Sequence, residues 1–275
     1  MKRIARVFPR RTKATPVDNL AFVGLPGFFP PEVDEVHVSV TFTWDIPLAE
    51  YLAEAWAKVA PVAIGGPALG ERGGDFVPGR FLRRGYVITS RGCPNRCWFC
   101  SVPRREGDVR ELPITEGHNV LDDNLLACSD EHIRAVFAML KKQKLGRIMF
   151  TGGLEAARLK PWHVEEIAKL HPKEIFMAYD TEDDYEPLVQ AGRMFRAAGI
   201  RARSHTLRAY VLLGYPNDSM RKAQVRLRNV LALGIIPMAM LWRDESGDRD
   251  PDWVKFAWPW SRPAAMNAMA ALRGW

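Results

Sequence analysis

Cysteine is scarce in this sequence, with four residues in a chain of 275. Three of the four lie within eight residues, which favours metal ligation in a reducing compartment over a framework of disulfides. The sequence also lacks any run of about 18 uncharged apolar residues, so no membrane-spanning helix is expected. The basic stretch MKRIARVFPRRTK has neither an apolar core nor a small-residue cleavage site, so no secretion signal is expected. These absences predict a cytoplasmic protein without a membrane partner.

Acidic residues are outnumbered, since 32 aspartates and glutamates stand against 39 lysines and arginines and the formal charge is +7. A pI near 9.4 favours an acidic partner, such as nucleic acid or an acidic electron-transfer protein. Solubility alone explains the same charge, so charge does not choose between these interpretations.

Residues 1–80 predict a small strand–helix–strand unit. EVHVSVTFTWD alternates as a strand does, and PVAIGGPALG is typical of a short buried strand that ends in a glycine turn. The helix between them, PLAEYLAEAWAKVA, places these apolar residues on one face: Leu48, Leu52, Ala55, Trp56 and Val59. Such a unit is right-handed if its strands are parallel, and it is too small for a complete Rossmann-like domain. A joint rich in glycine, proline and arginine follows it, GERGGDFVPGRFLRRG.

From Tyr86 onward, six predicted strands alternate with helical patterns. The strands are YVITSR, HNVLDDNLL, RIMFTGG, EIFMAYD, LRAYVLLGY and IIPMAMLWR. This alternation predicts an α/β fold: a parallel sheet covered by helices, either open or curled into a partial TIM-like barrel. Only the first crossover, residues 101–117, lacks an obvious helix. We therefore divide the chain into residues 1–80, 81–243 and a tryptophan-rich extension at 244–275.

The three clustered cysteines, Cys93, Cys97 and Cys100, follow the first of these strands with the spacing C-x3-C-x2-C. Sites in parallel α/β folds form at the carboxyl ends of strands, so the loop lies where a site is expected. Iron–sulfur cubanes are usually held by four thiolates, and three would leave one iron open. A structural zinc site would normally need a second C-x2-C pair, and Cys128, 28 residues further on, is the remaining alternative ligand.

The motif, with Phe99 directly before its last cysteine, resembles the signature of the radical S-adenosylmethionine (SAM) enzymes. The resemblance covers about residues 82–243, and the family's partial (β/α)6 barrel agrees with the strand count. It implies a [4Fe–4S] cluster on the three cysteines, with SAM on the open iron and Phe99 near the adenine. Core packing is the alternative role for Phe99. Reductive cleavage of SAM would yield a 5′-deoxyadenosyl radical that abstracts hydrogen from a substrate.

Two segments are candidates to bind the SAM amino group. The family often uses a Gly-Gly-Glu at the end of its second strand, and TGGLE supplies Gly152, Gly153 and Glu155 one residue out of step and after the third strand. LDDN, with Asp122 and Asp123, ends the second strand. A carboxylate beside an ammonium group is the physical requirement, and position favours Asp122–Asp123. A tight turn and a solvated loop are the structural alternatives for these two segments.

Further cofactor candidates end the fourth and fifth strands. They are Tyr179 beside Asp180, Gly214, which resembles the family's fifth-strand glycine near the adenine, and Arg208, for the SAM carboxylate or a substrate phosphate. An ion pair on the rim is the alternative for Arg208. None of the six histidines has metal-ligand spacing, and we expect His132 and His163 to face solvent. No catalytic acid or base is assigned.

The N-terminal unit resembles the latter half of the cobalamin-binding domain that precedes many radical SAM barrels. The Asp-x-His-x-x-Gly motif of that domain is absent, so the unit is interpreted as shortened and cobalamin is not expected to bind. In the extension, Trp253, Trp258, Trp260 and Trp275 follow Trp242. They either cover the barrel as a hydrophobic lid, the favoured interpretation, or stack on bases of single-stranded nucleic acid.

The sequence as a whole resembles small stand-alone radical SAM enzymes of the phage type. The hypothesis is hydrogen abstraction from a modified base of DNA or tRNA, motivated by basic charge and aromatic-rich edges. One alternative is modification of a peptide or small metabolite, in which the basic surface binds a flavodoxin or ferredoxin reductant. The other is a non-enzymatic nucleic-acid-binding protein with a structural iron–sulfur or zinc site.

Overall fold

The computed structural model describes residues 2–201, 205–244 and 246–262, and it contains two parallel sheets separated by the segment 66–85. Trp275 lies outside the described residues. Among the helices of the described residues, none combines the length and apolarity that crossing a bilayer requires.

The first sheet has four parallel strands in the order β2-β1-β3-β4. These strands are β1 (Ile4–Phe8), β2 (Ala21–Val23), β3 (Glu35–Ser39) and β4 (Val62–Gly65). The helix α1 (Ile46–Trp56) connects β3 to β4, so the predicted strand–helix–strand unit is confirmed, whereas β4 contains no buried residue and the prediction of a buried strand there was wrong. The other two strands were not predicted, because β2 has three residues and β1 alternates within a strongly basic stretch.

The buried face of α1 differs from the predicted one. Ala49, Leu52 and Trp56 are buried, whereas Leu48 is 42% exposed, so placing Leu48 on the inner face was wrong. Trp56 is fully buried and its indole Nε1 donates a hydrogen bond to the Gly24 carbonyl at 3.0 Å. This hydrogen bond fixes the orientation of the helix end. Ala49 and Leu52 lie on the same helical face as Trp56, because residues three or four positions apart are neighbours on a helix.

The second region contains a six-stranded parallel sheet and its helices. Its elements in chain order are β5 (Tyr86–Val87), β6 (Ser90–Arg91), α2 (Val102–Glu106), β7 (Arg110–Glu111), β8 (Asn119–Val120), α3 (Asp130–Lys142), β9 (Met149–Phe150), α4 (Pro161–Lys169), β10 (Glu174–Ala178), α5 (Tyr185–Ala197), β11 (Leu207–Leu213), α6 (Met220–Ala232), β12 (Ile236–Leu241) and α7 (Pro251–Ala257).

The sheet runs β5-β8-β9-β10-β11-β12, each strand parallel to its neighbours, while β6 and β7 form a separate antiparallel pair. Strands that pair in chain order with a crossover between each pair are the predicted α/β arrangement, which is confirmed. Curling of this sheet into a partial barrel stays a prediction. All six carboxyl ends lie at one edge, which positions the loops that follow them.

The helices bury one face against this sheet. In α3, Ser129 accepts a hydrogen bond from the His132 backbone N–H at 3.2 Å, as its cap position predicts, and the apolar face forms part of the core. The first crossover does contain a helix, the five-residue α2. Two tryptophans of the extension, Trp253 and Trp260, pack on this core, whereas Trp258 is 51% exposed.

The expectation that His132 and His163 face solvent was wrong, since both are buried. The His132 Nε2 lies 3.2 Å from the Thr89 hydroxyl. The His163 Nδ1 accepts the Lys160 backbone N–H at 3.1 Å and caps α4. Burial lowers the pKa of His163 to about 4, so its ring is neutral at pH 7.

Candidate metal centre and cofactor site

The three cysteines lie in the loop between β6 and α2, at the carboxyl edge of the second sheet. Gly92 begins the loop with a φ of +86°, and a Cβ there would lie 2.3 Å from the Asp108 carbonyl oxygen, so only glycine fits. The Cys93 N–H donates to the Gly107 carbonyl at 3.1 Å. The loop therefore begins in a backbone arrangement held against the segment that follows α2.

The three thiols are close enough to influence one another electrostatically. Burial raises the pKa of the Cys97 thiol, and the neighbouring Cys100 and Cys93 raise it further. Burial likewise raises the pKa of Cys100, to which Cys93 adds. Three thiolates in this loop would repel one another, and bound cations remove that cost, so the residues fit a metal cluster.

Within the described parts of the chain, no three His, Cys, Asp or Glu side chains are arranged to hold a single metal ion. A cubane does not require thiolates to converge on one ion, because each thiolate binds a different iron. Cys128 is half-buried, and burial raises its pKa to about 11, which keeps it a neutral thiol at pH 7.

Asp122 is buried and hydrogen-bonded at both carboxylate oxygens. It accepts the Thr89 N–H at 2.7 Å, the Thr89 hydroxyl at 2.5 Å and the Ser90 hydroxyl at 2.7 Å. Burial raises its pKa. The side chain ties the end of β8 to the strand segment that leads into the cysteine loop, so it is occupied in the fold, contrary to the solvated-loop alternative.

Asp123 contacts the first residue of the same loop. Its Oδ2 accepts the Gly92 N–H at 2.9 Å, and the Arg105 guanidinium lies 3.9 Å from Oδ1. Burial raises the pKa of this carboxyl. The backbone N–H that it accepts belongs to the residue before Cys93, which makes Asp123 a support of the loop.

Asn124 is a site residue whose role the sequence did not reveal. Its Nδ2 donates to the Cys93 sulfur at 3.3 Å and to Glu155 Oε2 at 2.6 Å. Among the described residues, its buried Oδ1 has no hydrogen-bond partner. An unsatisfied buried acceptor between a cysteine and a carboxylate fits an added donor such as an ammonium group. Its place beside two aspartates in LDDN was the available signal.

The TGGLE segment brings Glu155 to the cysteines. A Cβ on Gly152 would lie 2.6 Å from the Asp122 carbonyl oxygen, so a glycine lets this turn approach the end of β8. Gly153 has a φ of +98°. Glu155 is partly exposed and is held by Asn124 and by the Arg158 Nε at 2.7 Å. The two candidate segments thus meet, and the more accessible carboxylate is Glu155 rather than Asp122.

Aromatic side chains join the cysteine loop to the end of β11. The Trp98 ring lies 5.4 Å from Phe99 and 5.6 Å from Tyr215, both edge to face. Gly214, with a φ of +71°, comes directly before Tyr215. Phe99 and Gly214 therefore lie at the same carboxyl edge of the sheet. Trp98 and Tyr215 link them, and the sequence analysis did not single out either residue.

Tyr179 and Asp180, at the end of β10, have different environments. Tyr179 is 5% exposed and packs in the core against Tyr185 at 5.4 Å, so its side chain does not face an open site. Asp180 accepts the Leu212 N–H at 2.9 Å, and burial raises its pKa to about 6. The Asp180 charge also contributes to the raised pKa of Cys97.

Arg208 lies at the opposite edge of the sheet from the cysteines, near the beginning of β11. Its guanidinium is 3.2 Å from Glu174, the first residue of β10, and 5.5 Å from the Phe176 ring centroid. This is the rim ion pair that was the alternative to cofactor binding. Amino ends of parallel strands lie away from the site edge, which corrects the expectation of a cofactor role.

Comparison with models of known protein families finds no match for this chain. A comparison with curated protein sequences finds no significant match either.

Proposed function

We propose that this protein is a radical SAM enzyme, in which Cys93, Cys97 and Cys100 hold a [4Fe–4S] cluster with one open iron. When bound, the cluster would supply the electron that cleaves SAM and so generates the hydrogen-abstracting radical. The observation that carries the proposal is the grouping of three interacting thiols in one glycine-initiated loop at the carboxyl edge of a parallel sheet.

The residues around the loop have separable roles in this proposal. Asp122 and Asp123 hold the backbone that leads into Cys93. Glu155 and the unpaired Oδ1 of Asn124 accept the SAM ammonium group, which supplies the donor that the Asn124 oxygen lacks. This assignment replaces the preference for Asp122–Asp123, because the Asp122 oxygens already accept three hydrogen bonds.

Phe99, Trp98 and the turn at Gly214 form the side of the site suited to an adenine ring. The ring edges offer apolar contact to a flat ring, whereas the Cβ position of Gly214 already lies 3.1 Å from the Trp253 ring, so Gly214 contributes only the turn. The apolar rings also exclude water from the neighbouring thiols.

The substrate in this proposal is a base of DNA or tRNA and the reductant an acidic flavodoxin or ferredoxin, and the basic charge of the chain is compatible with both. Modification of a peptide or small metabolite is the alternative within the same reaction class. A cytoplasmic location accords with both, since free thiols persist in a reducing compartment.

Anaerobic reconstitution with iron and sulfide, followed by reduction in the presence of SAM, tests the proposal. We expect about four irons per chain, as a [4Fe–4S] cluster requires, and 5′-deoxyadenosine detected by mass spectrometry. A protein that takes up zinc, or an iron–sulfur cluster that never cleaves SAM, would refute the proposal and favour the non-enzymatic alternative.

A further inference from the structure

A cavity of about 620 Å³ lies between the two sheets. The first region contributes Ser39 at the end of β3 and Gly65 and Gly66 at the end of β4. The second contributes Ile88 and Leu121, which follow β5 and β8. The carboxyl ends of both sheets thus border one cavity, and its volume lies within the range of about 300–1,000 Å³ of small-molecule sites.

The wall between the sheets is held by a buried carboxylate. Both oxygens of Glu106 accept the Gly73 N–H at 3.1 Å, and the Glu106 side chain is 1% exposed. A Cβ on Gly73 would lie 2.4 Å from the Arg91 guanidinium, so the segment 71–77 is packed directly against the second region. Contacts between the two regions therefore hold this wall of the cavity in place.

The lining suits a planar ring that carries an anionic group. Apolar and aromatic side chains form much of it, namely Val38, Ala63, Ile64, Phe76, Val77, Phe81, Ile88 and Leu121. Three arginines surround Glu106, with Arg105 at 3.1 Å, Arg110 at 3.4 Å and Arg91 at 3.8 Å, so one carboxylate meets three positive charges.

Two further lining arginines, Arg72 and Arg80, make no hydrogen bond or ion pair through their guanidinium groups among the described residues, and the Arg80 guanidinium lies 5.3 Å from the Phe81 ring centroid. Two of the facing acids are engaged, since Glu71 accepts the Gly66 N–H at 2.9 Å and Asp123 accepts that of Gly92. The remaining lining acid, Asp75, leaves these two guanidinium groups in excess. A guanidinium group binds a phosphate through two parallel hydrogen bonds, so the excess favours a phosphate-bearing ligand.

The cavity also borders residues that flank the cysteine loop, because Arg91 in β6 and Arg105 in α2 line it. Asp123 lines it too and accepts the N–H of Gly92, the residue before Cys93. A ligand seated there would lie beside the loop that the proposed function assigns to radical formation.

We propose that this cavity binds one nucleotide unit, with the base between the apolar walls and the phosphate on Arg72 and Arg80. The inference rests on the proposed function only for the fate of the bound nucleotide, and the binding itself is independent of the cluster. The unit is either a free nucleotide or one nucleotide extruded from a nucleic acid strand.

Binding of the reconstituted full chain to a fluorescent 12-nucleotide single strand of DNA or RNA, at low and moderate salt, tests this assignment. Unlabelled nucleoside monophosphates, unlabelled single strands and poly-glutamate serve as competitors. Ala63→Trp, which fills the cavity from β4, should weaken binding at least tenfold, and Arg72→Glu should do the same. Arg193→Glu, a charge reversal at another exposed arginine, on α5, is the matched control and should change binding less than threefold.

Displacement by monophosphates would identify a free nucleotide as the ligand, and displacement by single strands alone would identify an extruded one. Either result supports the assignment if the Ala63→Trp and Arg72→Glu losses accompany it. Equal losses in Arg193→Glu, equal displacement by poly-glutamate, or no nucleotide binding would each overturn it. Thermal unfolding checks the fold of Ala63→Trp, and Arg72→Glu keeps the test decisive if that variant is unstable. Repeating the binding with Cys97→Ala separates this inference from SAM cleavage, which that variant should lose.

Discussion

The two halves of the second sheet differ in strand length and in what they bury. The short-stranded half, β5, β8 and β9, has two residues per strand, and the long-stranded half, β10 to β12, has five to seven. Buried polar residues cluster in and just after the strands of the first half: Thr89, Ser90, Asn119, Asp122 and Asn124. The buried residues within the strands of the second half are apolar.

This difference separates positioning from packing. Buried polar side chains each need a partner in one geometry, so the network in the short-stranded half holds its loops in place. Apolar burial in the long-stranded half stabilises without specifying a site, since it is non-directional. We therefore expect substitutions in the first half to impair the site and those in the second to change mainly stability.

The largest effect is expected from Cys97→Ala. Loss of one of three thiolates leaves the cluster without a stable set of protein ligands, so 5′-deoxyadenosine formation should fall at least about 100-fold, in line with the loss of a group essential to catalysis. Iron content and product by mass spectrometry measure it. Cys128→Ala is the control and should retain activity, because burial keeps that thiol neutral. A cluster lost equally in both variants would contradict the assignment of ligands.

Glu155→Gln should weaken SAM binding about 10-fold to 100-fold, because a charge-assisted hydrogen bond to the ammonium group is replaced by a neutral one. Equilibrium dialysis with radiolabelled SAM on reconstituted protein measures it. Unchanged SAM affinity would return the assignment to Asp123.

Gly152→Ala should destabilise the fold by about 1–3 kcal/mol, because the new Cβ would overlap the Asp122 carbonyl oxygen at 2.6 Å and the neighbouring backbone must move. Chemical denaturation monitored by circular dichroism measures it. Gly27→Ala is the matched control, since nothing lies within 4 Å of its Cβ position. Its free energy of unfolding should stay within about 0.5 kcal/mol of that of the parent. Equal losses in the two variants would show that the close approach at β8 is not what matters.

Asp180→Asn should stabilise the protein above pH 6 by about 1–2 kcal/mol. Burial raises the pKa of Asp180 from 3.8 to about 6. The folded state therefore loses stability as pH rises from about 4 to about 6, where the carboxyl ionises in the unfolded chain first, and the full penalty is present above pH 6. Asparagine keeps an acceptor for the Leu212 N–H without a charge. Denaturation at pH 4.5 and pH 8 measures it, and a gain of the same size at both values would argue against a charge effect.

Arg208→Ala should have the smallest effect, a destabilisation of about 1 kcal/mol or less from loss of a partly exposed ion pair. SAM affinity should stay within twofold of the parent, because Arg208 lies at the amino edge of the sheet. A clear loss of SAM affinity would restore the cofactor role that its placement argues against.

The cysteine spacing and the alternation of six strands with helices were readable from local pattern alone. Periodicity reports which face of an element is buried, and consecutive parallel strands leave few topologies. The roles of Asp122 and Glu155 were not readable, because each depends on contacts between segments about 30 residues apart. The prediction that His132 faces solvent was wrong for the same reason, since its hydrogen-bond partner, Thr89, lies 43 positions earlier in the chain.

Local sequence by itself determined that three thiols stand in one short loop after a strand, because covalent spacing limits how far apart they can lie. It also determined the alternation of six strands with helices, through short-range hydrophobic periodicity. Only the tertiary structure decided that LDDN and TGGLE meet beside Cys93, that Arg208 points to the other edge, and that the two sheets enclose a cavity. These outcomes depend on packing between distant segments, which no local pattern encodes.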